Sequence, residues 1–519
     1  MLPSMKMSVQ LIKRRQTAFA GLDHNESVDD GYLYDMQNLS GDMVPVLSVR
    51  KGRTLERTIP NFHGFGSADG KLYWVSGTNF YYDGAVKGSV AASDKQFGRL
   101  GNRILIYPDK KYYEISTDTF GNLEISWSGS AKVTSYKWDT TSEEAGAVYQ
   151  GNAITTTGTA FPFSQGEAVF VEGSSVAGNN RSAVIQKIVD NGKTLVFTNN
   201  LFEEHAAETL TLSRKAPDME WFCELDNRLW GCKGDDIYAC ALGLPMSWYD
   251  YDTNAGSSFA VPVGSDGSFT GAAALGGYAI FFKPDTIHKM YGEKPSNFQA
   301  MDSAVAGTID GRSLAIANET LYYLARSGIM AYKGGAPVCI SEALGTGRFT
   351  QGVGGSDGRR YYVSLYDGNS WQIYVYDTWT GLWFKEDAVQ ALGFAAADGI
   401  LYMVDAAGQL WSLNTGDSDG VVWSMETGDF MEGDPDKTGM GKVQARLELD
   451  AGASATIQLQ FDSNGRWQTI RTVTGRKTKQ TFLIPIIPRR CDHYRVRIHG
   501  TGGCKIYSIA REYYEASEI

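Results

Sequence analysis

The sequence lacks an excess of positive charge, a long apolar run, a disulfide pattern and extended helical tracts, and each absence removes a class of protein. Lys and Arg number 48 against 59 Asp and Glu, for a net charge of −11. A chain that grips nucleic acid usually carries a basic excess or stripe, which is missing here. No stretch approaches the roughly 18 uncharged apolar residues of a membrane-spanning helix. The best run, Tyr278–Phe282, is strand-sized. Six cysteines in 519 residues do not make a disulfide scaffold, and no C-x-x-C pair or zinc spacing is present. Cys223, Cys232 and Cys240 share one hairpin region, Cys339 stands alone, and Cys491 and Cys504 lie near the C-terminus. Buried free thiols are the expected state. The first 16 residues carry Lys6, Lys13, Arg14 and Arg15 without an apolar core or small-residue cleavage site, so they do not read as a secretory signal.

What is present points to β structure. The chain contains 59 Gly, 28 Tyr, 23 Phe and 12 Trp. Aromatic residues suit pleated, half-buried surfaces, and Gly supplies tight turns between them. A hairpin unit recurs seven times, from Asp69, Gly101, Asp226, Gly276, Asn318, Asp357 and Asp398. Each has a small or polar opener, a strand rich in Leu, Ile and Tyr, a Gly/Asp turn and a second aromatic strand. The last four begin 42, 39 and 41 residues apart. A period near 40 with paired strands in each copy predicts an all-β chain folded as a β-propeller of about seven blades, with six as the alternative count.

Two further segments break the pattern. Short alternating strands around FPFSQGEAVFVEG (from Phe161) and KTLVFTN (from Lys193) predict an inserted small β-barrel or sandwich, the barrel being the preferred form. Alternation in VQARLELD, ATIQLQFDSNGRWQTI and YRVRIHG, with turns at Asn464-Gly465 and Gly502-Gly503, predicts a C-terminal β-sandwich. The resulting division is an extended N-terminal arm over 1–58, the propeller over 59–117 and 216–425, the inserted domain over 118–215, and the sandwich over 440–515.

No catalytic constellation emerges. Asp69, Asp83, Asp226, Asp357, Asp367 and Asp398 sit beside Gly or Asn, where Asp side chains hold turns. The segment from Asp462 to Trp467 falls short of a sialidase S-x-D-x-G-x-x-W turn in both spacing and opening Ser. His493 and His499, near Cys491 and Cys504, would stand some 20 Å apart on one strand, too far for a shared metal. There is no G-x-S-x-G, H-E-x-x-H or P-loop. The chain therefore reads as a non-enzyme without cofactors or metals.

The N-terminal segment AGLDHNESVDDGYLYDMQNLSGDMVPVLSVRKGR and the ending YRVRIHGTGGCKIYSIAREYYEASE resemble tail-nozzle, or packaged-DNA stabilisation, proteins of short-tailed bacteriophages. The matching positions are Asp30, Gly31, Asp35, Met36, Asn38, Leu39, Pro45, Val46, Leu47, Ser48 and Arg50. The resemblance implies a virion tail protein made in the host cytoplasm, which forms a homo-oligomeric ring, usually a hexamer, below the portal and adaptor. It implies adaptor or portal-proximal proteins, fibres or spikes as neighbours, and double-stranded DNA passing through the lumen without sequence-specific contact or membrane insertion. Lys13, Arg14, Arg15, Asp30, Asp35, Asn38 and Arg50 are the candidate contacts between subunits. The competing reading is a receptor- or glycan-binding protein at the tail tip, in which Trp371, Trp379 and Trp383 could stack on sugars. A polysaccharide hydrolase is the third.

Overall fold

The computed structural model describes residues 11–139, 148–251, 254–432, 437–476, 478–484, 486 and 489–515; Lys6 lies outside them. The chain divides into two compact units, one of residues 60–311 and one of residues 1–59 with 312–519.

The unit of residues 60–311 contains, among its described residues, four antiparallel meanders of four strands each. The first runs through Phe62–Ala68, Lys71–Ser76, Asn79–Tyr82 and Ala85–Ser89. Its inner strands KLYWVS and NFYY are joined by a two-residue turn. Asp69 and Gly70 both take positive φ, 51° and 72°, as do Asp83 and Gly84 at 49° and 81°. These are the primed turns whose twist matches paired strands. The alternate aromatics face the next meander: Phe80 lies 5.7 Å from Tyr113 and Tyr73 lies 4.9 Å from Phe97, ring to ring.

Between the second and third meanders lies a seven-stranded antiparallel sheet whose long central strands are Ile125–Asp139 and His205–Arg214. Its core gathers Trp127, Phe161, Val169, Ile185, Phe197 and Leu212. The expected barrel is corrected here. The edge strands Ser182–Val184 and Lys187–Val189 are neighbours in sequence but do not pair with each other, so the sheet stays open. Only two residues connect them, and a barrel needs those edges hydrogen-bonded.

The second unit holds three more four-stranded meanders and two larger antiparallel sheets among its described residues. The last meander takes its fourth strand from the N-terminal region, Gly52–Thr58 pairing with Gln409–Gly416. Leu33–Gln37 joins Val422–Thr427 in a five-stranded sheet, and Leu11–Gln16 lies along Cys504–Glu515 in a seven-stranded one. Residues 11–58 therefore supply strands to three sheets of this unit. Trp423 is fully buried, its indole N–H donating to Gly502 O at 3.0 Å.

The expected propeller is also corrected. Among the described residues every sheet is open, and none is closed or strongly curled. The meanders are shared between the two compact units, four in one and three in the other. The structure is an all-β chain of separate antiparallel sheets. The 40-residue period was real, but it encodes the length of one meander. Hairpin pairing is local and legible, whereas closure depends on how sheets pack, which a period does not specify.

Candidate functional site

The turn after Trp371–Asp377 carries the most exposed large aromatic among the described residues. In the sequence DTWTGLW, Asp377 opens the turn and is 1% exposed. Its Oδ1 accepts from the amides of Trp379 (3.0 Å) and Thr380 (3.4 Å), while Gly381 N donates to Asp377 O at 2.8 Å. Gly381 has φ of 71°, a conformation that costs glycine little. This side-chain-locked turn throws Trp379 outward, leaving it 70% exposed.

A second turn at the same end of the sheet, Ser356 to Arg360, completes the site. Asp357 Oδ1 accepts from the amides of Arg359 (3.0 Å) and Arg360 (2.7 Å). Thr378 Oγ1 donates to Arg359 O at 2.6 Å, lacing the turns together. Arg359 forms a charge-assisted pair with Asp377 through Nη2 and Nε. Held there, its guanidinium lies 4.1 Å from the Trp379 ring centroid, a stacked cation–π contact. Arg360, cross-strand from Asp377, also binds Asp42. The Tyr362 hydroxyl accepts from Asn414 Nδ2 at 2.8 Å, and burial pushes its pKa up to about 12, so it remains a neutral hydrogen-bonding group. The assembly is a fixed indole bordered by arginine, carboxylate and hydroxyl groups.

Of the three tryptophans expected on a sugar-binding face, only Trp379 stands clear. Trp371 is half-buried against Tyr366 (5.3 Å between centroids), and Trp383 is buried with its indole N–H donating to Ile340 O at 2.6 Å. Sequence reading did not connect Arg359 with Trp379. The available signal was the pairing of two Asp-led turns, S-D-G-R and D-T-W-T-G, at the open end of one hairpin.

The seven candidate contact residues make their described contacts within the chain. Lys13 lies 3.5 Å from Glu512, and Arg14 lies 3.5 Å from Glu432. Arg15 is exposed opposite Ala510. Asp30 binds Arg511 at 3.1 Å, and Arg511 Nε reaches Glu432 at 2.7 Å, so Arg14 and Asp30 share one network. Asp35 pairs with Lys385. Asn38 Oδ1 accepts from Arg50 Nε at 2.8 Å while its Nδ2 donates to Val422 O at 2.7 Å. Arg50 is buried, which lowers its pKa despite Glu386 nearby. Cys223, Cys232, Cys240, Cys491 and Cys504 are buried free thiols, and burial raises the pKa of each.

Clefts open elsewhere in each unit. In residues 60–311, a cleft of about 180 Å³ is bordered by Trp230, Phe298 and Tyr278. The Trp230 indole N–H is buried and has no acceptor among the described residues, a deficit that costs about 1–3 kcal/mol. Arg228 fixes one wall by donating to Cys240 O, Ser257 O and Ala255 O at 2.6–2.7 Å. In the other unit, a cleft of about 470 Å³ is lined by Arg326, Arg348, Ser327, Ser341 and Glu342.

No family model and no curated protein matches the chain. Among solved structures, the phage phi92 endosialidase is 11% identical over 88% of this chain and 80% of its own, at a TM-score of 0.25. Hsv2 of Kluyvelomyces marxianus is 14% identical over 48% and 83%, also at 0.25. A family 29 carbohydrate-binding module is 8% identical over 23% and 78%, at 0.12. Likeness at these scores carries no argument about fold or function. The expected tail-nozzle membership is corrected: no family model supports it, and the ring of closed propellers it implied is not what the open sheets form.

Proposed function

We propose that this chain binds glycans, with Trp379 as the stacking platform. The observation that supports the reading is a 70%-exposed indole held rigid by a stacked guanidinium that is itself anchored on a buried carboxylate. A sugar ring offers an apolar C–H face and a rim of hydroxyls. The indole suits the face, and Arg359, Arg360 and Asp357 suit the rim. Because Asp377 and Thr378 already fix the turn, binding does not have to order a mobile loop.

The test is a glycan array with the purified full-length protein, followed by calorimetric titration of the best oligosaccharide. Saturable binding that weakens at least about tenfold in Trp379→Ala, or about 1.4 kcal/mol, supports the reading. An empty array, or binding indifferent to Trp379→Ala, refutes it.

A further inference from the structure

Among the described residues, two places bring a serine, a histidine and a carboxylate within hydrogen-bonding distance, and they are wired differently. The first is the turn between Ser454–Phe461 and Gln468–Thr474. Asp462 and Ser463 take φ of 51° and 46° there, a strained choice for serine. Ser463 Oγ lies 2.7 Å from His493 Nε2, and His493 Nδ1 lies 2.9 Å from Asp492 Oδ2. A carboxylate only accepts, so in the neutral ring Nδ1 carries the proton and Nε2 is left to accept from the serine. That is the order nucleophile, base, acid.

The surroundings hold this arrangement in place. Asp462 N donates to His493 O at 3.0 Å, and Asp492 N donates to Asp462 Oδ1 at 2.8 Å, which ties the serine turn to the histidine segment. Asp429 lies 3.9 Å from His493 Nε2, but both its oxygens accept from Arg495 at 2.6 and 3.1 Å. It therefore does not compete for the imidazole. Among the described residues, the amides of Ser463 and Gly465 donate to no acceptor, so both N–H groups of this turn are available to a ligand. A Cβ on Gly465 would meet nothing within 4 Å, so the space there is open.

The second cluster, in residues 60–311, is short-circuited. Ser175 Oγ is 3.1 Å from His205 Nε2 but donates to Glu208 Oε2 at 2.8 Å. Ser175 N donates to the same oxygen at 3.0 Å, and Ser174 Oγ donates to Oε1 at 2.6 Å. Glu208 clamps the loop and accepts the hydroxyl hydrogen bond that the imidazole would need.

We propose that Ser463 and His493, positioned by Asp492, form an acyl-transfer site that hydrolyses acetyl esters of the kind carried on glycan hydroxyls. The choice of an O-acetylated glycan rests on the glycan-binding reading; the ester chemistry does not. Ser463 Oγ attacks the acetyl carbon and forms the new C–O bond as its proton passes to His493 Nε2. The carbonyl electron pair moves to oxygen, where a turn amide could stabilise it. Collapse expels the alcohol, which takes the proton from His493. Water, deprotonated by the same nitrogen, then cleaves the acetyl-serine to acetate and restores the hydroxyl. Ester and water give acid and alcohol, with no further reactant.

The test uses the full chain. A fluorophosphonate probe should give one adduct that maps to the Ser463 peptide, absent in Ser463→Ala and retained in Ser175→Ala. Turnover of p-nitrophenyl acetate should fall on the order of 100-fold in Ser463→Ala and in His493→Ala, and imidazole added to His493→Ala should restore part of it, which a structural role would not allow. Absence of an adduct on Ser463 of the wild-type protein, or unchanged turnover in Ser463→Ala, overturns the site. Turnover of p-nitrophenyl acetate without acetate release from O-acetylated oligosaccharides overturns the substrate class. Glycan-array binding retained in Ser463→Ala, or an empty array with esterase activity intact, tells failure of one reading from failure of the other.

Discussion

Trp379 and Trp383 stand four residues apart in one hairpin and have opposite fates. Trp383 is 2% exposed, packs 5.0 Å from Tyr376 and uses its N–H on Ile340 O. Trp379 is 70% exposed and, among the described residues, meets one charged side chain over its ring, Arg359. The difference lies in position relative to the ladder. Trp383 sits within Leu382–Lys385, opposite Tyr376, where the pleat aims it at the interior. Trp379 sits in the turn that Asp377 locks, where no neighbouring strand can cover it. One tryptophan is spent on packing, and the other is left largely open to solvent.

Trp383→Ala is expected to give the largest effect in this pair. It removes a buried aromatic and leaves a cavity and an unpaired carbonyl, a loss of about 3–5 kcal/mol, read as a lower midpoint in urea. Asp377→Ala comes next. It strands Arg359 and Arg360 beside a turn that has lost its acceptor, at about 3 kcal/mol. It should also release Trp379, so glycan affinity falls together with stability. A variant that loses stability while Trp379 binding is untouched would show that the turn lock and the platform are independent.

How much of this was legible in the sequence follows from the same contrast. Strand pairing was readable because Asp-Gly pairs such as Asp69-Gly70 and Asp398-Gly399 demand positive φ and fix hairpins locally. The C-terminal turn falls where Asn464-Gly465 placed it, between Ser454–Phe461 and Gln468–Thr474, but positive φ also falls on Asp462 and Ser463, a conformation that glycine signals and serine does not. Closure of the meanders into a propeller was not encoded in their period, and the open edge pair at Ser182–Val184 and Lys187–Val189 could not be read from alternation alone. The site groups were harder still. Thirty residues separate Ser463 from His493, and Arg359 reaches Trp379 only because two turns meet at one sheet end. Composition and spacing register residues along the chain, whereas these contacts arise across strands.

The sharpest comparisons are the small ones. Trp379→Ala should change unfolding stability by less than about 0.5 kcal/mol, as exposed substitutions do, in contrast to its neighbour's several. A large loss of stability would mean that Trp379 packs against something and is no free platform. Arg359→Lys is expected to have the smallest effect of the series. Lysine keeps the charge for Asp377 but gives up the planar face and the two-pronged geometry. The indole should then lose its stacked support and wobble, weakening oligosaccharide binding about two- to threefold, or roughly 0.5 kcal/mol, with the unfolding midpoint nearly unchanged. The measurement is paired calorimetry on wild type and variant with one oligosaccharide. Equal affinities would mean that the guanidinium only neutralises Asp377. A tenfold loss would mean that Arg359 touches the sugar itself, turning a support for the platform into part of the binding face.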